Sequence, residues 1–181
     1  MTLKGTQTHK NLNDAFAGES QANRRYLYFA RVARQAGLDD VAELFEETAN
    51  GETGHAFGHL EYLVAGEAGD PATGEPIGDT EANLASAVAG ETYEFTEMYP
   101  PMVEQAKAEG HKAKTMLGFA NAAEQVHARL FAQALEAMRS GGDLSQMDVY
   151  LCPVCGDIEF GALPDKCPVC GAPAAKYQKV A

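Results

Sequence analysis

Ala15-Phe16-Ala17-Gly18-Glu19-Ser20 is echoed by Ala87-Val88-Ala89-Gly90-Glu91-Thr92, and each Gly-Glu is followed 33 residues later by a Glu-x-x-His, Glu52 to His55 and Glu124 to His127. One offset of 72 superimposes all three positions. Residues three apart on a helix share a face, so each copy aims a Glu–His pair from one helix and a carboxylate from the helix before it. A duplicated hairpin of this kind suits a pseudo-symmetric site for two metal ions inside a four-helix bundle. A single Glu-x-x-His is ordinary on a solvated face; two in register across a duplication are not.

Working outward, the apolar period predicts four helices. The first runs from about Thr8 to Ala36, with Leu12, Phe16, Glu19, Asn23, Tyr26 and Ala30 on one stripe, and stops at Gly37. The second is capped by Asp39 and Asp40, carries Phe45, Thr48, Glu52, His55 and Tyr62, and ends near Gly66. Residues 66–79 are turn formers, placed where a long crossover between two hairpins belongs. The third helix runs from Thr80 to Gly110, kinked by Pro100 and Pro101, and the fourth from His111 to Arg139, stopped by Ser140-Gly141-Gly142. The organisation expected is a bundle over 1–140, a linker over 141–149 and a small module over 150–181. A unit that short needs a staple.

Five glutamates on inward stripes (Glu19, Glu52, Glu91, Glu94 and Glu124) are costly to bury without compensating cations, since each carboxylate loses hydration worth about several kcal/mol. Two ferrous ions bring four positive charges against these five negative ones, and an oxygen-rich set with two imidazoles suits iron or manganese. The repeat breaks at Glu94, whose counterpart 72 residues earlier is Ala22, so the two metals are offered different ligands. Tyr26 and Tyr99 are placed to donate hydrogen bonds to ligand carboxylates or simply to pack. His59 faces Phe131 in the repeat and reads as a packed histidine; His9 and His111 lack ligand spacing. Gly51 and Gly54 interrupt the second helix at about 1 kcal/mol each relative to alanine, which implies close helix contact or a local bulge.

The staple is supplied by Cys152-Pro-Val-Cys155-Gly156 and Cys167-Pro-Val-Cys170-Gly171, two copies of one knuckle. Four clustered thiolates make a tetrahedral site for iron, as a one-electron carrier, or for zinc, as a structural ribbon. A neighbouring two-metal site that needs electrons favours iron.

Together Gly18-Glu19-Ser20-Gln21-Ala22, Gly90-Glu91-Thr92-Tyr93-Glu94, Thr96-Glu97-Met98-Tyr99-Pro100, both Glu-x-x-His pairs and the cysteine knuckles closely resemble the rubrerythrin family over nearly the whole chain. The resemblance implies an all-α ferritin-like four-helix bundle with a long crossover, followed by a rubredoxin-like module. It implies a non-haem diiron centre, oxo- and carboxylate-bridged, and a mononuclear iron in the four-cysteine site. By that analogy Glu52 and Glu124 bridge the irons, Glu19 serves one, and Glu91 and His127 serve the other. Glu94 and His55 are then alternative ligands to the first iron, the former in the oxidised and the latter in the reduced site, and Tyr26 and Tyr99 support the ligands. The implied activity is a peroxidase reducing hydrogen peroxide to water in oxidative-stress protection, with electrons entering through the thiolate-bound iron from a rubredoxin or an NAD(P)H-dependent flavoprotein. The implied assembly is a homodimer or larger, one chain's rubredoxin-like centre lying near the other's diiron site. Thr53-Gly54 and Gln125 depart from the family pattern without touching a ligand.

Composition narrows the classes. Acidic residues outnumber basic ones 26 to 14 across 181 residues, a net charge of −12, which argues against nucleic acid and anionic membranes as partners. No apolar run approaches a membrane span and nothing directs export, so a cytoplasmic location is expected. The competing readings are a ferroxidase or iron-handling ferritin-like protein, against which an attached electron carrier counts, and a zinc-ribbon interaction module tethered to a bundle.

Overall fold

The structure is a computed structural model that describes residues 2–144 and 148–180. Part of the linker expected at 141–149, residues 145–147, lies outside the described residues. The chain divides into two units, Met1–Gly78 and Asp79–Ala181.

The first unit is a helical hairpin of α1 (Gln7–Gln35) and α2 (Asp39–Ala65). The Thr6 hydroxyl caps α1 by accepting the His9 N–H at 3.1 Å. The helix closes with a left-handed Gly37 (φ +74°), where Leu38 N–H reaches back to Ala33 O and Gly37 N–H to Arg34 O, satisfying carbonyls that helix ends leave free. Asp39 and Asp40 do not cap α2: Leu38 holds the cap position without a side-chain bond, and the aspartates fall in the first turn, where they favour the positive helix end. Ala42, Ala49, Ala56 and Leu63 recur every seven residues on α2 and are buried, with Ala30 and Ala33 of α1 also buried and Phe45 packed on the same cluster. Small residues let the two helices approach closely. Asn23 crosses the seam, donating to Ala49 O at 2.8 Å and to Thr53 Oγ1 at 2.9 Å.

The second unit holds α3 (Thr80–Tyr93), a π-helical turn (Glu94–Met98), α4 (Tyr99–Ala108) and α5 (Lys114–Arg139), then a three-stranded antiparallel sheet. Its strands are β1 (Val149–Leu151), β2 (Ile158–Phe160) and β3 (Gln178–Val180), in the order β2-β1-β3. Asp79 caps α3 by accepting Ala82 N–H at 2.8 Å. The kink expected at Pro100-Pro101 takes a particular form. Neither proline can donate, and each ring would strike the carbonyl four residues back. The chain widens just upstream instead, Tyr99 N–H bonding to Glu94 O across five residues, the hydrogen bond of a π turn.

Two readings are corrected. The helix expected from His111 begins at Lys114, since His111 N–H is spent closing α4 on Ala106 O at 2.8 Å. Gly51 and Gly54 answer to neither expected cause. Among the described residues nothing outside the helix backbone lies within 4 Å of a methyl built at either, and α2 has no bulge. No helix among the described residues is long and apolar enough to cross a membrane.

Candidate metal centres

In the first unit α1 contributes Glu19 and α2 contributes Glu52 and His55, their ligand atoms all within 4.8 Å of one another. His55 Nδ1 stands 3.0 Å from Glu52 Oε2 and 3.8 Å from Glu19 Oε2. In the second unit α3 contributes Glu91 and α5 contributes Glu124 and His127, again within 4.8 Å. There His127 Nδ1 is 2.6 Å from Glu124 Oε2 and 3.6 Å from Glu91 Oε2. The repeat in sequence is thus a repeat in space, with one imidazole nitrogen facing two carboxylates in each copy.

The copies differ in cover. The His55 side chain keeps 63% of its surface exposed, the His127 side chain 18%. His127 owes its cover to the cysteine module of its own unit. Its Nε2 lies 2.8 Å from the Gly156 carbonyl, and a methyl built on Gly156 would sit 3.9 Å from the Ala123 methyl on α5. With Nε2–H donating to that carbonyl, Nδ1 is the nitrogen left for the carboxylates or a metal.

The donor set fits cations. Glu91 Oε2 is buried without a hydrogen bond. His127 is pushed up to about 10, first by its bond to Glu124, then by Glu91, with burial opposing. A proton on Nδ1 here stands where a metal would, since the imidazole and two carboxylates converge there. Glu94 lies outside both three-residue groups yet feels the second: burial, then the charges of Glu124 and Glu91, hold its carboxyl above the usual range. Tyr99 is raised by burial and by Glu94, Glu124 and Glu91 in that order, which places its hydroxyl in the same field. Tyr26 has a different setting, stacked on Phe45 at 6.1 Å and near Phe29 at 6.2 Å.

The four cysteines form the third group. They are free thiols, with Sγ–Sγ separations of 3.7 Å for Cys152–Cys170 and 3.5 Å for Cys155–Cys167. The knuckles superimpose bond for bond. Gly156 N–H reaches Cys152 O and Gly171 N–H reaches Cys167 O, both at 2.9 Å, through glycines at φ +88° and +75°. Burial pushes the Cys155 thiol far up, so a cation is what would draw off its proton. Cys152, Cys155 and Cys167 are buried, and Phe119 of α5 packs on them. Sequence reasoning missed Asp157, which is fully buried and accepts hydrogen bonds from the Tyr177 hydroxyl and, at 3.5 Å, the Cys167 thiol. Its only signal was its place directly after the first knuckle.

Comparison with known proteins agrees with this geometry. The rubrerythrin family model matches residues 10–135, and that of the rubrerythrin rubredoxin-like domain matches 150–178. The chain belongs to the rubrerythrin family. Rubrerythrin of Nitratidesulfovibrio vulgaris is 37% identical over 98% of this chain and 96% of its own length, and rubrerythrin of Porphyromonas gingivalis 37% over 98% and 92%. The solved structure of nigerythrin in its fully reduced, all-ferrous state aligns at TM-score 0.54 and 30% identity, covering 99% of this chain and 91% of that one. The rubrerythrin family consists in general of diiron proteins of oxidative-stress defence, and a ferritin-like bundle with a rubredoxin-like module is the fold of this chain.

Proposed function

We propose that the chain is a non-haem diiron peroxidase that reduces hydrogen peroxide to water with electrons delivered through its four-cysteine centre. Glu19, Glu52, His55, Glu91, Glu94, Glu124 and His127 would hold two irons, and Cys152, Cys155, Cys167 and Cys170 a third. Bound there, the iron pair supplies the two electrons that the O–O bond requires. Among these residues, Glu52 and Glu124 would serve both irons, and Glu94 and His55 would serve one of them in alternation as its oxidation state changes.

One observation carries the electron route. The His127 imidazole has Nδ1 among the carboxylates and Nε2–H on the Gly156 carbonyl, one residue from Cys155. A single side chain therefore links a cysteine knuckle to the carboxylate cluster by one hydrogen bond. That bond also fixes the ring so that only Nδ1 can ligate. Tyr99, held protonated by burial and three glutamates, keeps a hydroxyl proton to donate into the site. The electron donor to the four-cysteine centre is a rubredoxin or an NAD(P)H-dependent flavoprotein.

Anaerobic stopped-flow tests the reading. Reduced protein mixed with peroxide should show the red thiolate–iron band returning as the four-cysteine centre gives up its electron. Protein with zinc in the four-cysteine site should complete one turnover and then stall. Peroxide that leaves the reduced carboxylate site unoxidised on the timescale of turnover would sink the proposal.

A further inference from the structure

Within the second unit, the first cysteine knuckle meets α5 through one backbone carbonyl. Gly156 N–H donates to Cys152 O at 2.9 Å, and Cys152 N–H donates to Asp157 O at 2.8 Å, so bonds on either side of the Gly156 carbonyl tie it to Cys152. Gly156 takes φ +88°, which residues with a side chain rarely adopt. The carbonyl placed in this way lies 2.8 Å from His127 Nε2 on α5. A methyl built on Gly156 would stand 3.9 Å from the Ala123 methyl, one turn before His127 on the same helix.

The position of that carbonyl depends on what gathers the sulfurs. Cys152, Cys155 and Cys167 are the buried residues of the module's core cluster, and Phe119 and Tyr177 pack on them. Thiols packed 3.5–3.7 Å apart add little cohesion by themselves, and as thiolates they would repel. A small module of this kind draws its folding free energy from the ion it binds. The loop that presents Gly156 is therefore ordered most firmly when the four-cysteine site is filled.

At the other end of the bond, the direction of the imidazole matters. His127 Nδ1 stands 2.6 Å from Glu124 Oε2 and 3.6 Å from Glu91 Oε2. Helical geometry fixes where the His127 backbone sits but leaves the ring free to turn about its last side-chain bond. A half-turn would replace Nδ1 by a ring carbon. The Gly156 carbonyl opposes that turn, because it would lose the Nε2–H. Partners that hold a ligand histidine in this manner are generally worth about 10–100-fold in metal affinity.

We propose that the first cysteine knuckle is a positioning element for the trio Glu91, Glu124 and His127, and that the two sites bind metal cooperatively. A metal on the four cysteines fixes the Gly156 carbonyl, the carbonyl turns His127 toward the carboxylates, and the trio gains affinity for a divalent cation. Linkage makes the effect reciprocal, so a cation at the trio tightens the cysteine site by the same factor. The trio then binds weakly until the electron carrier is in place. This rests on the reading that Glu91, Glu124 and His127 hold a metal.

Two probe metals test it, cadmium(II) for the thiolates and manganese(II) for the carboxylates. Full-length protein carrying E19A, E52A and H55A retains the second trio alone. Its manganese affinity is read from the EPR signal of free manganese, with and without one equivalent of cadmium. Cadmium should tighten manganese binding by about 10–100-fold, and manganese should tighten cadmium binding equally. Unmutated, ¹⁵N-histidine-labelled protein gives a second measurement, with the His127 ring resonance identified by its loss in H127Q. The His127 Nε2–H should be protected from solvent exchange with cadmium bound and lose that protection on chelation. A module that only stabilised the helices would not change this ring proton. Equal manganese affinity in both states overturns the proposal, as does a ring N–H that exchanges alike with and without cadmium. Manganese that binds the trio in neither state defeats the metal-site reading, and the coupling with it.

Discussion

His127 meets two sets of partners with its two nitrogens, Nε2 the Gly156 carbonyl and Nδ1 the carboxylates. With a folded pKa of about 10 against 6.5 for the free group, protonated His127 stabilises the metal-free protein fully below pH 6.5, and that contribution is lost as pH rises through about 10. The urea midpoint of metal-free protein, followed by circular dichroism, should fall over that window, and Glu124→Gln should flatten the slope by removing the largest cause. Asp157 invites a second test. Its Oδ1 is buried without a partner and its Oδ2 depends on the Tyr177 hydroxyl. Tyr177→Phe should therefore cost the cysteine module about 1–3 kcal/mol, read from denaturation of the iron-loaded protein in the visible band. At this scale the ligand trios were legible because i, i+3 spacing is local geometry. The Gly156 carbonyl was not, because it meets His127 through packing between residues 29 apart.

The π turn shows how an element can place a single side chain. One extra residue in a helical turn rotates the downstream helix by about 100° relative to the upstream one. Glu94 opens that turn and Tyr99 closes it, so the register between them depends on the turn. Replacing Pro100 and Pro101 by alanine restores two donors and lets the segment relax to α geometry. The double variant should be at least as stable thermally as wild type. Its affinity for the iron that Glu94 would serve should fall by about 10–100-fold, the range for disturbed groups around a metal, as measured by iron titration. The sequence signalled a disturbance near the prolines but not its kind. Proline chemistry forbids the α bond without dictating whether the helix kinks or widens. The same limit applies to Asp39 and Asp40, whose types suit a helix start but whose positions were set by the Schellman closure one turn earlier.

For the whole molecule, the cysteine module has little core besides its thiols, so its fold and the metal it would hold form one equilibrium. Chelation of the thiolate-bound metal should abolish amide-exchange protection across β1, β2 and β3 while α1 and α2 keep theirs, as followed by hydrogen-exchange mass spectrometry. What the sequence determined by itself was the chemistry: which carboxylates and imidazoles gather, in two copies, and that four thiols gather in one place. Those facts depend on helical periodicity, a fixed offset and the charge cost of burying like groups, all readable along the chain. What only the tertiary structure decided was inequivalence and connection. Of two copies identical in motif, the one in the second unit takes its cover from a cysteine knuckle of that same unit. The 66–79 segment folds through an Asx turn and brings Gly78 back to Val64. Such outcomes follow from non-local packing, where many weak contacts compete and no single residue type settles the result.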